Sequence, residues 1–259
     1  MTGRLLSLAA GVLIDVVPED AVSAASAAGW PACGVWFDPE TWSDTREREV
    51  ARRLDDTGMS VLDVEAIIVG TDVDPTERLV EAAAVLGSSF VLFTSRIGDR
   101  QEVVRRFCRA CDLALAADPS LTVVYEFLPA FPLGTLDDAL WIVHEAARPN
   151  AGVLVDNLHL RSCGRTPRDL DRLDRSLFPY LQIADAPLEV PVGADALLDE
   201  ARHGRRWPGD GALPIDELLT TLADVPLSFE VRSSADRQRF PDPVDRARYA
   251  WGRVRHLAD

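Results

Sequence analysis

The sequence of 259 residues contains no lysine, and all 27 of its basic residues are arginine. This absence excludes an internal Schiff base, a pyridoxal phosphate anchor and a Walker A loop, because each of these needs a lysine amine. The 42 acidic residues outnumber the basic ones and give a formal net charge of −15 at pH 7. We therefore expect no nucleic acid partner, since phosphate binding requires a basic surface.

Cysteines and long apolar runs are also scarce. Four cysteines are too few for a disulfide framework in a chain of this length. Cys108 and Cys111 form a CxxC pair inside a helical pattern, and we interpret them as thiols on a buried helix face because no second pair exists. No stretch reaches the roughly 18 apolar residues of a membrane span, and the amino terminus lacks the features of a signal peptide. These absences predict a cytoplasmic protein without a membrane partner.

Eight short apolar segments recur along the chain, and a helical pattern follows each of them. Their lengths and bounding turn residues are typical of buried strands. The predicted strands span residues 5–9, 34–37, 61–67, 90–94, 122–127, 152–155, 180–184 and 227–231. This alternation predicts the α/β class and a single (β/α)₈ TIM barrel that forms one domain over residues 1–259. A doubly wound open sheet is less favoured, because no GxGxxG motif follows the first strand.

The longest segment predicted to be irregular spans residues 185–213 and is rich in proline and glycine. In a barrel it follows the seventh strand, on the face where active sites lie. A loop of this length in a compact domain is usually functional.

The last four predicted strands each bring an oxygen-bearing side chain into otherwise apolar sequence. These side chains are Glu126, Asp156, Gln182 with Asp185, and Glu230. Burial without partners costs about 2–7 kcal/mol for a neutral polar group and more for a charge. Three carboxylates at one barrel mouth would also repel each other unless a cation joins them. The pattern therefore predicts one bound divalent metal ion.

Five segments between residues 120 and 231 resemble the xylose isomerase-like TIM barrel superfamily, the group of sugar phosphate isomerases and epimerases. They read YEFLPAF, VLVDNLHLRSCG, YLQIADAP, RRWPGDGALP and LSFEV. The resemblance implies that the metal ligands are Glu126, Asp156, Gln182 and Glu230. It also places the superfamily's substrate-contacting histidine at His159, and a substrate-proximal RxxPGxG segment at residues 205–211.

Position 182 departs from the superfamily's usual pattern, because sugar epimerases usually have histidine there. The Gln182 carbonyl oxygen can ligate a metal, and an all-oxygen ligand set favours Mg²⁺, Mn²⁺ or Co²⁺ over Zn²⁺. Some bacterial 3-dehydroshikimate dehydratases of the superfamily resemble this chain in having glutamine at this position. The departure therefore weakens the sugar epimerase assignment more than it weakens metal-dependent catalysis.

The resemblance implies removal of a proton next to a carbonyl, with a metal-stabilised enediolate. A sugar or sugar-derivative isomerase or epimerase would move the proton with Glu126 and Glu230. The alternative is a lyase of the 3-dehydroshikimate dehydratase or keto-glycoside-cleaving type, with His159 as the base. A hydrolase and a non-catalytic metal-binding barrel are less favoured.

Arginines near the predicted barrel mouth indicate the charge of the substrate. Arg96 follows the fourth strand, and Arg202, Arg205 and Arg206 lie in the segment 185–213. An acidic protein with arginines there is expected to bind a small anionic or polyhydroxy keto substrate. We expect Asp185 near the substrate, or orienting a ligand or an arginine. The sequence is also compatible with a homo-oligomer.

Overall fold

A computed structural model describes residues 3–258, in which eight parallel strands form a closed barrel. Each strand pairs with its neighbours in sequence, and the first strand closes the barrel against the eighth. The strands are β1 Leu6–Leu8, β2 Ala32–Trp36, β3 Ser60–Val69, β4 Phe90–Ser95, β5 Thr122–Glu126, β6 Ala151–Asp156, β7 Leu181–Ile183 and β8 Leu227–Phe229. The prediction of a single (β/α)₈ TIM barrel is thus confirmed, and the less favoured alternative of a doubly wound open sheet is wrong.

Helices surround the barrel. They are α1 Pro18–Ala27, α2 Asp44–Thr57, α3 Thr76–Val85, α4 Arg100–Ala117, α5 Leu136–Ala146, α6 Asn157–Ser162, α7 Ala194–His203, α8 Ile215–Thr221, α9 Ser234–Arg239 and α10 Pro243–Val254, with 3₁₀ turns at Ala10–Leu13, Pro167–Leu170, Arg175–Leu177 and Arg255–Ala258. Between residues 3 and 258, no helix combines the length and the apolar character that crossing a membrane requires.

Local sequence explains where several helices begin and end. Thr135 and Asp138 form a capping box that begins α5, because each side chain accepts the other's backbone N–H. Ser43 caps α2 through the backbone N–H of Arg46. The same helix ends at Gly58, whose φ of 66° places it in the left-handed region that glycine adopts without strain.

Side-chain alternation along the strands places polar groups above an apolar barrel interior. Leu62, Leu92, Val124, Leu154 and Tyr180 pack together as a small buried cluster, separate from the larger core that includes the inner helix faces. Residues two apart on a strand point to the same side. The inward positions after Val124 and Leu154 are therefore the terminal carboxylates of β5 and β6, at the face where barrel active sites lie.

The prediction of an irregular segment over residues 185–213 is wrong in its middle, where α7 forms. Proline and glycine on both sides obscure the ten-residue helical pattern of α7. Arg161 fixes this helix to α6 through an ion pair with Glu200, with 2.8 Å between Nη2 and Oε2. The helix therefore covers one side of the barrel mouth.

The CxxC pair lies on α4 as predicted. Cys111 is buried, and Cys108 is half-buried against the backbone carbonyl of Ala146, with 3.7 Å between its Sγ and that oxygen. Burial raises the pKa of Cys111, so this thiol is protonated and unreactive at neutral pH. Both cysteines are free.

Candidate active site

Four neighbouring strands carry the predicted metal ligands to one end of the barrel. Glu126 ends β5, Asp156 ends β6, Gln182 is the middle residue of β7, and Glu230 follows β8 directly. All four are buried, with exposed fractions of 7%, 0%, 0% and 6% in that order. They lie at the carboxyl ends of parallel strands, which meet at the same barrel mouth.

Asp156 organises the turn that carries His159 into the site. Its Oδ1 accepts the backbone N–H groups of Leu158 at 2.7 Å and His159 at 3.3 Å, which begins α6. This turn brings His159 Nε2 to 3.5 Å from Glu126 Oε1 and 3.9 Å from Asp156 Oδ2. Ligand atoms of Glu126, Asp156 and His159 lie within 4.8 Å of one another, close enough for one metal ion.

Arg205 joins two of the predicted ligands, a role that sequence reasoning missed. Its Nη1 lies 2.6 Å from Asp156 Oδ2, and its Nη2 lies 2.8 Å from Glu230 Oε2. Its Nε donates to the carbonyl of Ala201 at 2.8 Å, which fixes the guanidinium to the end of α7. The sequence pointed to Arg205 only as an arginine near the substrate, at the start of the RxxPGxG segment, and not as a partner of the predicted ligands.

The buried charges shift one another's titration. Burial, and then the Glu230 and Asp156 carboxylates, raise the pKa of Glu126 well above its ordinary value. Burial also raises the pKa of Glu230, although the Arg205 charge opposes this. Burial would also raise the pKa of Asp156, but the Arg205 charge opposes this and holds that pKa below its usual range. Burial lowers the pKa of His159 to about 4, so its imidazole is neutral at pH 7.

The site fits a divalent metal ion. The Gln182 side chain is fully buried, and neither its Oε1 nor its Nε2 has a hydrogen-bond partner within residues 3–258. A buried polar atom without a partner costs about 1–3 kcal/mol, and the Gln182 amide oxygen, on the strand position that pairs with Asp156, is a donor that a divalent cation accepts. Such an ion would also relieve the repulsion that raises the pKa of Glu126.

A cavity of about 660 Å³, its open mouth included, lies at this end of the barrel. Glu126, Glu230, His159 and Arg205 line it, whereas Asp156 and Gln182 lie behind its surface. The other side chains that line it include Glu65, Arg96, Arg202, Arg232, Trp36, Leu128 and Phe131. The predicted acid–base groups therefore face one shared cavity at the barrel mouth.

Three arginines at this cavity carry no carboxylate partner within the described part of the chain. They are Arg96, Arg202 and Arg232. The Arg96 guanidinium lies over the ring of Phe131, 5.4 Å from its centroid. Arg206, predicted to bind substrate, does not line the cavity and donates to the backbone carbonyl of Asp210 at 3.1 Å. Arg232 was not singled out in the sequence, because nothing in its local pattern shows that it faces the cavity.

Asp185 holds the segment after α7 in place and does not line the cavity. Its carboxylate accepts the backbone N–H groups of Ala186, Gly209, Gly211 and Leu213 at 2.8–3.0 Å. Its own backbone exchanges two hydrogen bonds with that of Arg206, each 2.8 Å long. Asp185 therefore positions the chain that leads from Arg205 back to the barrel, which differs from the predicted contact with substrate.

Asp185→Ala is expected to destabilise the fold strongly. It leaves several buried N–H donors without acceptors, each costing about 1–3 kcal/mol, so we expect a total loss of about 3 kcal/mol or more. Urea unfolding of the full chain measures this change. The matched control is Asp210→Ala, which removes an exposed ion pair with Arg253 and should cost at most about 1 kcal/mol. Equal losses in the two variants would contradict the role assigned to Asp185.

A family model for the xylose isomerase-like TIM barrel matches residues 22–250, and the chain belongs to this family. An inosose isomerase of Halalkalibacterium halodurans is 29% identical over 154 residues, which cover 56% of this chain and 52% of the relative. A 3-dehydroshikimate dehydratase of Pseudomonas aeruginosa is 27% identical over 243 residues, which cover 87% of this chain and 37% of the relative. The matches thus span about half or less of these curated relatives.

A solved structure of the IolI protein with a bound zinc atom has the same fold. It superimposes with a TM-score of 0.81 at 17% identity, covering 98% of this chain and 97% of that chain. The chain is thus similar in sequence to inosose isomerases and 3-dehydroshikimate dehydratases, and it shares its fold with the zinc-bound IolI protein.

Proposed function

We propose that this protein is a divalent-metal-dependent isomerase or epimerase that removes a proton next to the carbonyl of a small polyhydroxy keto substrate. The observation that carries the proposal is the pair Glu126 and Glu230, which line one cavity from strands three apart around the barrel. Both carboxyl groups are buried, which raises the pKa of each, and a carboxyl group beside the reacting carbon can take up and return a proton.

The proposed ligands of the metal are Glu126, Asp156, Gln182 and Glu230, and the oxygen donors favour Mg²⁺, Mn²⁺ or Co²⁺. When bound, a divalent cation would polarise the substrate carbonyl and stabilise negative charge on its oxygen. One of the two glutamates takes the proton from the substrate carbon, and the other or the same one returns it. Arg205 holds Glu230 and Asp156 in place during this transfer.

A second candidate, a dehydratase, is favoured by the arginines at the cavity. Arg96, Arg202 and Arg232 line it without carboxylate partners in the described residues, and guanidinium groups pair well with a substrate carboxylate. In this reaction the neutral His159 takes the proton from the carbon next to the carbonyl. The β-hydroxyl then leaves with a proton as water, and a carbon–carbon double bond forms.

Proton exchange in D₂O tests the proposed chemistry. We expect metal-loaded protein to place deuterium at the carbon next to the carbonyl of at least one member of a panel that contains inososes, ketohexoses and 3-dehydroshikimate. Mass spectrometry and proton NMR measure incorporation, and loss of water identifies the dehydratase. Metal-free protein is the control and should be inactive. Deuterium incorporation at the uncatalysed rate across the panel would contradict both candidates.

A further inference from the structure

A carboxyl group on β3, outside the metal set, also faces the cavity. Glu65 is 3% exposed and lines the same space as Glu126 and Glu230. Between Val64 and Ile67 the register of β3 against β4 shifts, which is an irregularity that re-aims side chains beside many active sites. Nothing in the sequence marks Glu65 as functional, because its strand has the pattern of an ordinary buried segment.

The fold does not satisfy this carboxyl group. Glu65 Oε1 is buried and accepts no hydrogen bond from any residue between 3 and 258. Its neighbour Asp63 also has one buried oxygen without a partner, Oδ1, but its Oδ2 accepts the hydroxyl of Tyr180 at 3.0 Å and its side chain does not line the cavity. A buried carboxyl oxygen without a hydrogen-bond partner is costly, which points to a ligand as its partner.

The adjacent strand β2 has a glycine, Gly34, beside the Glu65 carboxyl group, and its missing side chain leaves room for that group. A Cβ atom at Gly34 of β2 would lie only 3.3 Å from Glu65 Oε1 and 2.8 Å from Asp63 Oδ1. Any larger residue at this position would therefore crowd both carboxyl groups. Burial, and then the charges of Asp63, Glu230 and Glu126, raise the pKa of Glu65 well above its ordinary value, although the Arg232 charge opposes this. A carboxyl group can form a hydrogen bond with a substrate hydroxyl, which both donates and accepts.

We propose that Glu65 is a specificity-determining residue that binds a hydroxyl group of the substrate on the β3 side of the cavity. The inference rests on the proposed function, because it assumes a small polyhydroxy substrate in this cavity. It adds that the ring or chain of that substrate carries a hydroxyl beyond the atoms that react. A substrate analogue without this hydroxyl would gain nothing from Glu65.

Binding of inert probes isolates this role from catalysis. Shikimate and myo-inositol carry hydroxyls but no ketone, so they can occupy the cavity without reacting. We expect calorimetric titration of Mn²⁺-loaded protein to show binding of at least one probe, about tenfold weaker in Glu65→Met, the loss of roughly one hydrogen bond. Glu65→Gln keeps a donor and an acceptor and should stay within about threefold of wild type. The matched control, Asp63→Asn, should bind as wild type does.

Further measurements keep this inference distinct from its alternatives. Mn²⁺ affinity should be unchanged in every Glu65 variant, and cyclohexene-1-carboxylate, which has no hydroxyl, should bind wild type and Glu65→Met equally. Thermal melting checks that the variants fold, and Glu65→Ala replaces Glu65→Met if that variant does not. Loss of Mn²⁺ binding in Glu65→Gln would make Glu65 a metal ligand and overturn the inference.

Two other outcomes would overturn it as well. One is equal binding of the hydroxylated probe by wild type and the apolar variant, and the other is wild type that binds neither shikimate nor myo-inositol. These failures are separate from a failure of the proposed function, which the deuterium experiment detects in wild type alone. A protein that binds shikimate through Glu65 but exchanges no deuterium would retain the hydroxyl site and lose the proposed reaction.

Discussion

Glu126→Gln is expected to lower the affinity for Mn²⁺ or Mg²⁺ by about a hundredfold or more. Substitutions of groups that merely orient metal ligands already cost about 10–100-fold, and this one removes a charged oxygen from the ligand set itself. Isothermal titration calorimetry and the metal content of the purified full chain measure the effect. Glu230→Gln should act in the same direction, and it also removes a charge that pairs with Arg205.

The control for these substitutions is Glu145→Gln, which alters an exposed glutamate on α5, remote from the cavity. It should leave metal content and affinity unchanged. Wild-type stoichiometry and affinity in both Glu126→Gln and Glu230→Gln would contradict the ligand set. A loss in Glu126→Gln alone would instead indicate a metal site built from Glu126, Asp156 and His159, whose ligand atoms already lie within 4.8 Å of one another.

The barrel could be predicted because each strand is a local feature. Every predicted strand is present, with ends displaced by no more than two residues. A buried parallel strand needs a short run of apolar residues, and the turn residues that bound it are read directly from the chain. The segment that contains α7 was harder to predict, since its helix is short and depends on tertiary contacts such as Arg161 with Glu200.

The residues of the site that lie at strand ends can also be recognised from the local sequence, whereas the other residues of the site cannot. Glu126 and Asp156 could be predicted because a carboxylate at the end of an apolar strand is recognisable from the sequence alone. Arg205 lies 49 residues from Asp156 along the chain, and no local pattern indicates that they meet. Glu65 was overlooked for a related reason, since only the three-dimensional arrangement reveals that its Oε1 has no partner.

The position of Arg205 has a consequence for how the site binds metal. One guanidinium neutralises Asp156 and Glu230 together, so it stabilises these buried carboxylates whether or not a cation is bound. Within residues 3–258 Glu126 forms no ion pair with an arginine, and its close contact is with the neutral imidazole of His159, with 3.5 Å between Nε2 and Oε1. Among the proposed ligands, the charge of Glu126 should therefore depend most on the metal, which is why its substitution is the sharper test.

His159→Asn is expected to decide between the two proposed reactions. His159 Nε2 faces the cavity beside Glu126, and its ring is neutral at pH 7 because burial lowers its pKa to about 4. If it is the base of a dehydratase, kcat should fall by about 10²–10⁴, the usual contribution of one acid–base group. If Glu126 and Glu230 move the proton of an epimerase, His159 only binds a substrate hydroxyl, and the substitution should chiefly raise KM.

The measurement is kcat and KM of His159→Asn on the substrate that the deuterium screen identifies, together with its metal content. His144→Asn, on the exposed side of α5, is the matched control and should leave both constants unchanged. Metal content equal to that of wild type is part of the expectation, since the proposed ligand set does not include His159. Loss of the metal would make His159 a ligand, in agreement with its distance from Glu126 and Asp156 and contrary to both proposed roles. Unchanged kcat, KM and metal content would show that His159 contributes to neither reaction.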